Sequence, residues 1–101
     1  MNTKQAEHAQ SPWHSDSYSE GFIYDAKDTK IASVGGDSFA ESEANTRLIA
    51  AAPELLAACK AARPLLGSLA AQPTENNDLR RLRTAKYEQL CKAIAKAEGR
   101  A

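Results

Sequence analysis

The sequence predicts an α+β fold: a small antiparallel β-sheet of two to three strands, then two or three helices forming an antiparallel helical hairpin. Three observations carry this. Residues 22–34 read as two short extended runs around a polar break. From Ser38 onward, apolar residues recur three and four apart, and a proline-bearing loop at 72–76 separates two such helical stretches.

Taking the elements in order, residues 1–11 are polar and read as an arm, and residues 12–101 as one α+β domain. Phe22 and Tyr24 fall on one face of an extended segment, with Ile23 and Asp25 on the other. Ala26-Lys27-Asp28-Thr29 breaks the run, Lys30–Val34 resumes it with β-branched residues, and Gly35-Gly36 ends the sheet. Trp13 and Tyr18 are candidates for a third strand. Core packing is the role expected of Phe22, Tyr24 and Phe39, because a small sheet needs aromatic area to cover a helix.

Ser38 followed by Glu41 is a capping box, so a helix is expected to start there. Leu48, Ile49, Ala52, Leu55, Leu56, Cys59 and Leu66 read as one apolar stripe. Pro53 predicts a break at Ala52, and Gly67 with Pro73 is expected to close the region. Asn77 reads as an N-cap for a last helix over about 78–98. Its buried side is expected to hold Leu79, Leu82, Leu90, Cys91 and Ile94, with Tyr87 at the border and Gly99 as the stop. A loop this short sets the two helices antiparallel.

Composition narrows the function classes. The chain has 101 residues, enough for one modest core, and much of its 43% hydrophobic content is small alanine. No run of about 18 apolar residues exists, so no membrane association is expected. The opening MNTKQAEHAQ does not read as a secretory signal. Cys59 and Cys91, without framework spacing, read as reduced thiols in a cytoplasmic setting. Net charge is zero but unevenly spread. Residues 1–58 carry four basic and nine acidic side chains, and residues 59–101 nine basic and four acidic. Such a dipole steers a charged partner or lets copies associate, a homodimer included.

The chemistry-bearing clusters point away from catalysis. His8, His14, Asp16 and the cysteines lack zinc-type spacing, so no metal is expected. No nucleophile motif, glycine-rich phosphate loop or cofactor signature is present, and the chain reads as a non-enzyme without a cofactor. Glu41 and Glu43 suit a helix N-terminus. The strongest polar feature is Arg80, Arg81 and Arg83 with Lys86, followed by Lys92 and Lys96. This basic helix face suits phosphates or an acidic protein surface, and it equally suits the solvated side of an amphipathic helix. Trp13 and Tyr18 are the aromatic interface candidates.

The runs Ser11-Pro12-Trp13, Phe22-Ile23-Tyr24-Asp25-Ala26, Lys30-Ile31-Ala32 and Ala44–Leu56 (ANTRLIAAAPELL) resemble small accessory proteins of tailed bacteriophages and prophages, including Ead-like early proteins. The resemblance covers roughly residues 11 to 62, and Lys27–Lys30 departs from the family's glycine turn. It implies a protein of phage origin in the host bacterial cytoplasm, and it assigns no catalytic residue. Small phage accessory proteins often block host defence, CRISPR–Cas effectors included, by direct binding. The expected function is therefore binding to a host protein or complex. The alternative is a nucleic-acid-associated regulator using the basic C-terminal helix.

Overall fold

Successive side chains of a strand face opposite sides, so in β1 (Phe22–Tyr24) the central Ile23 points away from its two neighbours. The computed structural model describes residues 7–15 and 21–100. In it Ile23 is wholly buried, while Phe22 and Tyr24 are half-buried. β2 (Lys30–Ser33) runs antiparallel to β1, with Phe22 opposite Ser33, Ile23 opposite Ala32 and Tyr24 opposite Lys30. The Lys30 ammonium sits 4.3 Å from the Phe22 ring centroid, a cation–π contact across the hairpin. Among the described residues the sheet has these two strands. The candidate third strand contributes one bridge, in which His14 and Tyr24 exchange backbone bonds of 2.9 and 2.8 Å. Tyr18 lies outside the described residues.

The hairpin loop is built on one carboxylate. Asp25 is 8% exposed, and its Oδ1 accepts the backbone N–H groups of Lys27 and Thr29, each at 2.9 Å. Its own N–H donates to the Thr29 carbonyl, also at 2.9 Å. Asp28 closes the turn with φ +64, a left-handed conformation that aspartate tolerates better than most residues. This is how the loop forms without the glycine found in the resembling family. Gly21, at φ +67, precedes β1, and a Cβ there would lie 2.2 Å from the Val34 carbonyl oxygen. The backbones approach too closely for any side chain at that position.

α1 (Phe39–Ala50) starts where the sequence places it. Ser38 is extended and its Oγ accepts the Glu41 N–H at 3.1 Å. The Glu41 carboxylate takes the Asp37 N–H at 3.1 Å, one residue earlier than a reciprocal box would use. α1 packs on β1, and its wholly buried residue is Thr46, whose hydroxyl donates to the Ser42 carbonyl at 2.7 Å. The core role expected of Phe39 is not met. As the first residue of α1 it is 61% exposed.

The helix breaks at Ala51 and resumes as α2 (Ala52–Ala71), with Pro53 in its first turn, where no intrahelical donor is missing. The single expected stripe is also corrected. Leu56, Cys59 and Leu66 are half-buried, but Leu48, Ile49 and Leu55 are exposed. The break resets the helical phase, and adjacent leucines stand about 100° apart on a helix, so both cannot face one seam. α2 does not close at Gly67. It runs on through Pro64 and Gly67 to Ala71, because Gly67 is where the Tyr87 ring rests: a Cβ there would lie 3.0 Å from Tyr87 Cε1.

α3 (Asn77–Ala97) is capped by Asn76, one residue before the expected cap, with Asn76 Oδ1 accepting the Leu79 N–H at 3.0 Å. Ile94 is wholly buried, and Leu79, Tyr87, Leu90 and Cys91 are half-buried. Leu82 is exposed, against expectation, because the inward position beside it belongs to half-buried Arg83, whose guanidinium reaches the Leu69 carbonyl of α2. The helix ends in a Schellman arrangement: Arg100 N–H bonds the Ala95 carbonyl at 2.8 Å and Gly99, at φ +75, bonds Lys96 at 3.2 Å. Three contacts between the helices fix their direction. Gly67 meets Tyr87, the Leu69 carbonyl meets Arg83, and Lys60 meets Glu98. Rising numbers on α2 pair with falling numbers on α3, the antiparallel hairpin the loop length requires.

By contacts the chain divides into two compact units, Met1–Glu54 and Leu55–Ala101. No helix among the described residues is long and apolar enough to cross a membrane.

The hairpin turn and the end of α3 are each open to test by substitution. Asp25→Ala leaves two backbone donors of the turn without an acceptor and destabilises the chain by about 1–3 kcal/mol in denaturant melts. Asp28→Gly, at a backbone conformation glycine adopts freely, leaves stability unchanged or raises it by up to about 1 kcal/mol. Glu98 accepts hydrogen bonds from Lys60 at 2.7 Å and Arg100 at 2.6 Å, which hold its carboxyl below its ordinary 4.5. A depressed carboxyl stabilises the fold above its unfolded-state value, and the contribution is lost as pH falls through the folded-state value. The helical melt by circular dichroism therefore moves to lower temperature on acidification below about pH 4.5. Glu98→Gln shows a smaller drop, and an equal drop in the variant would mean the bridge contributes nothing.

Candidate basic interface on the last helix

The basic cluster lies at the start of α3, where the interhelix loop is itself tightly bonded. Thr74 Oγ1 accepts the Asn76 N–H at 3.1 Å, and the Gln72 N–H returns to the Leu69 carbonyl at 3.2 Å. Onto this frame the four expected partner-binding cations are distributed unequally. Arg80 reaches back to the Thr74 carbonyl and the Asn77 side chain. Arg83 reaches across to the Leu69 carbonyl at 3.5 Å, in the last turn of α2, where the helix dipole favours a cation. These two brace the junction between the helices. Arg81 pairs with Asp78 at 2.7 Å, with side chains 76% and 91% exposed, and Lys86 touches Gln89 at 3.4 Å. Exposed pairs of this kind contribute about 0–1 kcal/mol and release readily to a partner. Arg81 and Lys86 are therefore the cluster members most free to engage another molecule, with Lys92 and Lys96 exposed further along α3.

The charge division coincides with the structural one. Between Glu54 and Lys60 the chain carries no charged side chain, so the unit Met1–Glu54 has four basic against nine acidic residues and Leu55–Ala101 nine against four. The helical hairpin is the positive body, with all of α3's cations on it.

The aromatic candidates stand elsewhere. Trp13 is half-buried, its indole N–H donates to the Ala9 carbonyl at 3.0 Å, and its ring meets His8 edge-on at 5.9 Å. It fastens the segment preceding β1. His14 stacks on Tyr24 with centroids 5.7 Å apart and bonds Asp28 through Nε2 at 2.9 Å. Tyr87, the aromatic of α3, rests on Gly67. Its hydrogen bond to Cys91 holds the phenol above its ordinary 10.0, with nearby charge on Cys91 and desolvation adding to the rise and Arg63 opposing it. Cys59 and Cys91 are half-buried free thiols. Among the described residues no group of three or more His, Cys, Asp or Glu is placed to hold a metal ion.

One feature of the surface escapes a single-stripe reading. Leu55, Leu65, Leu69 and Leu82 are all exposed on the hairpin. The signal in the sequence is the pair of doublets Leu55-Leu56 and Leu65-Leu66, since consecutive helical leucines necessarily serve two faces.

No curated protein and no solved structure matches the chain. A protein-family model does, and its phage origin agrees with the resemblance carried by residues 11–62. The model of Salmonella phage P22 protein Y8K6 matches residues 1–101, and the chain belongs to that family.

Proposed function

We propose that this chain is a phage accessory protein that acts in the host bacterial cytoplasm by binding a host protein directly, without catalysis. The observation that carries the reading is the mixed character of the exposed start of α3. Leu82 is 54% exposed there among Arg81 and Lys86. Apolar and basic groups together suit a protein surface with acidic and apolar patches, because arginine and large apolar side chains dominate such interfaces. A phosphate track would favour the opposite design. Two of the three arginines, Arg80 and Arg83, are turned to carbonyls of the chain itself. The aromatic of α3 is turned to Gly67, so it offers no stacking platform to bases. The phage family and the Ead-like helix motif make a host defence complex, of the CRISPR–Cas kind, the favoured class of target.

Affinity capture with the full tagged chain from host lysate, with and without nuclease, tests the reading. A stoichiometric protein partner is expected to survive nuclease. Arg81→Glu combined with Lys86→Glu, which leaves the Arg80 and Arg83 braces in place, is expected to cut its retention at least about tenfold, the scale of losing two interface charges. Retention that vanishes with nuclease and falls steeply with salt would replace this reading with the nucleic-acid regulator.

A further inference from the structure

Half-buried along α2, besides Ala52 and the Gly67 that meets Tyr87, are Leu56, Cys59, Arg63, Leu66 and Ala70. One residue before each lies a second series, Leu55, Ala58, Ala62, Leu65 and Leu69, spaced three and four apart and rotated about 100° from the first. Ala58 and Ala62 would pass unnoticed as small residues, yet the series keeps heptad spacing over the fifteen residues from Leu55 to Leu69, about 21 Å of helix. Its leucines stay open: Leu55 is 50%, Leu65 75% and Leu69 41% exposed. On α3 the corresponding offset from the seam places Leu82 one residue before Arg83. In an antiparallel helix pair, positions one residue before the seam turn to the same side of the hairpin on both helices. Leu82 therefore joins the α2 ladder on one face.

We infer that this face is the interface of a two-fold homodimer, in which α2 of one copy packs antiparallel against α2 of a second. Three observations select a second copy as the occupant. The first is self-complementarity. Antiparallel packing sets the first ladder position of each heptad against the fourth of the other helix. That places Leu65 against Ala62 of the second copy and Leu69 against Ala58 of the second copy, large against small at these layers, with Leu55 at the outer end of the contact. A two-fold axis repeats the same fit on the other side. The second is charge. From Leu55 to Ala71 the charged residues are Lys60 and Arg63 alone. Arg63 lies in the seam and Lys60 is paired with Glu98, so the ladder is uncharged and the hairpin's positive excess sits mainly on α3. Two positive hairpins therefore meet along α2 without opposing like charges. The third is core size. Among the described residues of the hairpin only Ile94 is wholly buried, less than a body of this length ordinarily needs, and a second hairpin supplies the missing apolar cover. Pro64 follows a seam residue and lies on the side away from the ladder, so its ring does not obstruct the approach.

This inference goes beyond the proposed function and centres on α2, with Leu82 and Lys86 of α3 at its edge. Sedimentation equilibrium of the full chain over a range of concentrations tests it. The expected species has twice the 10.9 kDa chain mass at the upper concentrations. Leu65→Ala keeps high helix propensity and removes a side chain already exposed within one copy. It is expected to weaken the dimer at least about tenfold, because the deletion acts twice in a two-fold interface, while the far-ultraviolet circular dichroism is unchanged. Leu65→Glu is expected to give a folded monomer, and Ala57→Glu, on an exposed position turned away from the ladder, to keep the dimer. A wild-type monomer throughout overturns the inference, as does a dimer that Leu65→Ala and Leu65→Glu leave intact. Should Leu65→Glu lose its helicity, the Leu65→Ala dissociation constant decides alone.

Discussion

Ile23, Thr46 and Ile94 are the side chains of the described chain wholly removed from water, and the rest of the structure is organised around that shortage. Full burial of an isoleucine contributes only about 1.5–3 kcal/mol, and alanine, the commonest apolar residue here, adds little area. With so few anchors, the geometry of each element must be set by bonds that leave no backbone group unpaired. Asp25 holds the hairpin turn, Ser38 and Asn76 open their helices, and Gly99 closes the last one. Each of these devices is local, and each defines where an element starts or stops without drawing on core volume.

The same distinction explains what was legible in the sequence. Signals that act within four residues were readable: the alternation at 22–25, the Ser38 cap, the break before Pro53, the stop at Gly99. Asn76 and Asn77 differ by one position because either side chain caps well, and only the packed loop, with Thr74 on the Asn76 N–H, decides between them. What could not be read was which helical face meets which neighbour. A period of 3.6 identifies an apolar stripe but does not say whether one or two stripes are present. The leucine doublets satisfied both. Leu82 looks like a core residue by type, yet Arg83 takes the inward position beside it, and Phe39 stands at the first position of α1, two turns before the buried Thr46. Gly67 reads as a terminator until Tyr87 is seen to occupy the space its missing side chain leaves.

The basic cluster shows the same limit at the level of the candidate site. Composition finds Arg80, Arg81, Arg83 and Lys86 together, but treats them as equivalent. Arginine's planar fork of donors makes it the residue best able to bridge carbonyls at a helix junction, and Arg80 and Arg83 are used that way. The division leaves Arg81 and Lys86 outward. A screening length of about 8 Å at physiological salt confines their influence to encounter and contact. The neutral total charge of the chain therefore does not prevent a locally positive hairpin from choosing an acidic partner, since nine of the thirteen acidic side chains lie in the other unit.

Two different surfaces on one short hairpin have a consequence that neither has alone. The ladder lies on α2 with Leu82 and Lys86 at its flank, and Arg81, Lys92 and Lys96 are exposed elsewhere along α3. A two-fold contact through α2 would leave both α3 helices of the pair facing solvent, related by the same axis. A partner presenting a repeated acidic surface, as multi-subunit complexes do, would then be engaged at two points, and the second contact would form at the effective concentration set by a rigid spacing rather than by a flexible linker. Modest contacts such as Arg81 and Lys86 offer would become tight in pairs. The alanines at positions 58 and 62 are in that sense as consequential as the arginines, because they let the two α2 backbones approach closely enough to fix the spacing between the two basic faces.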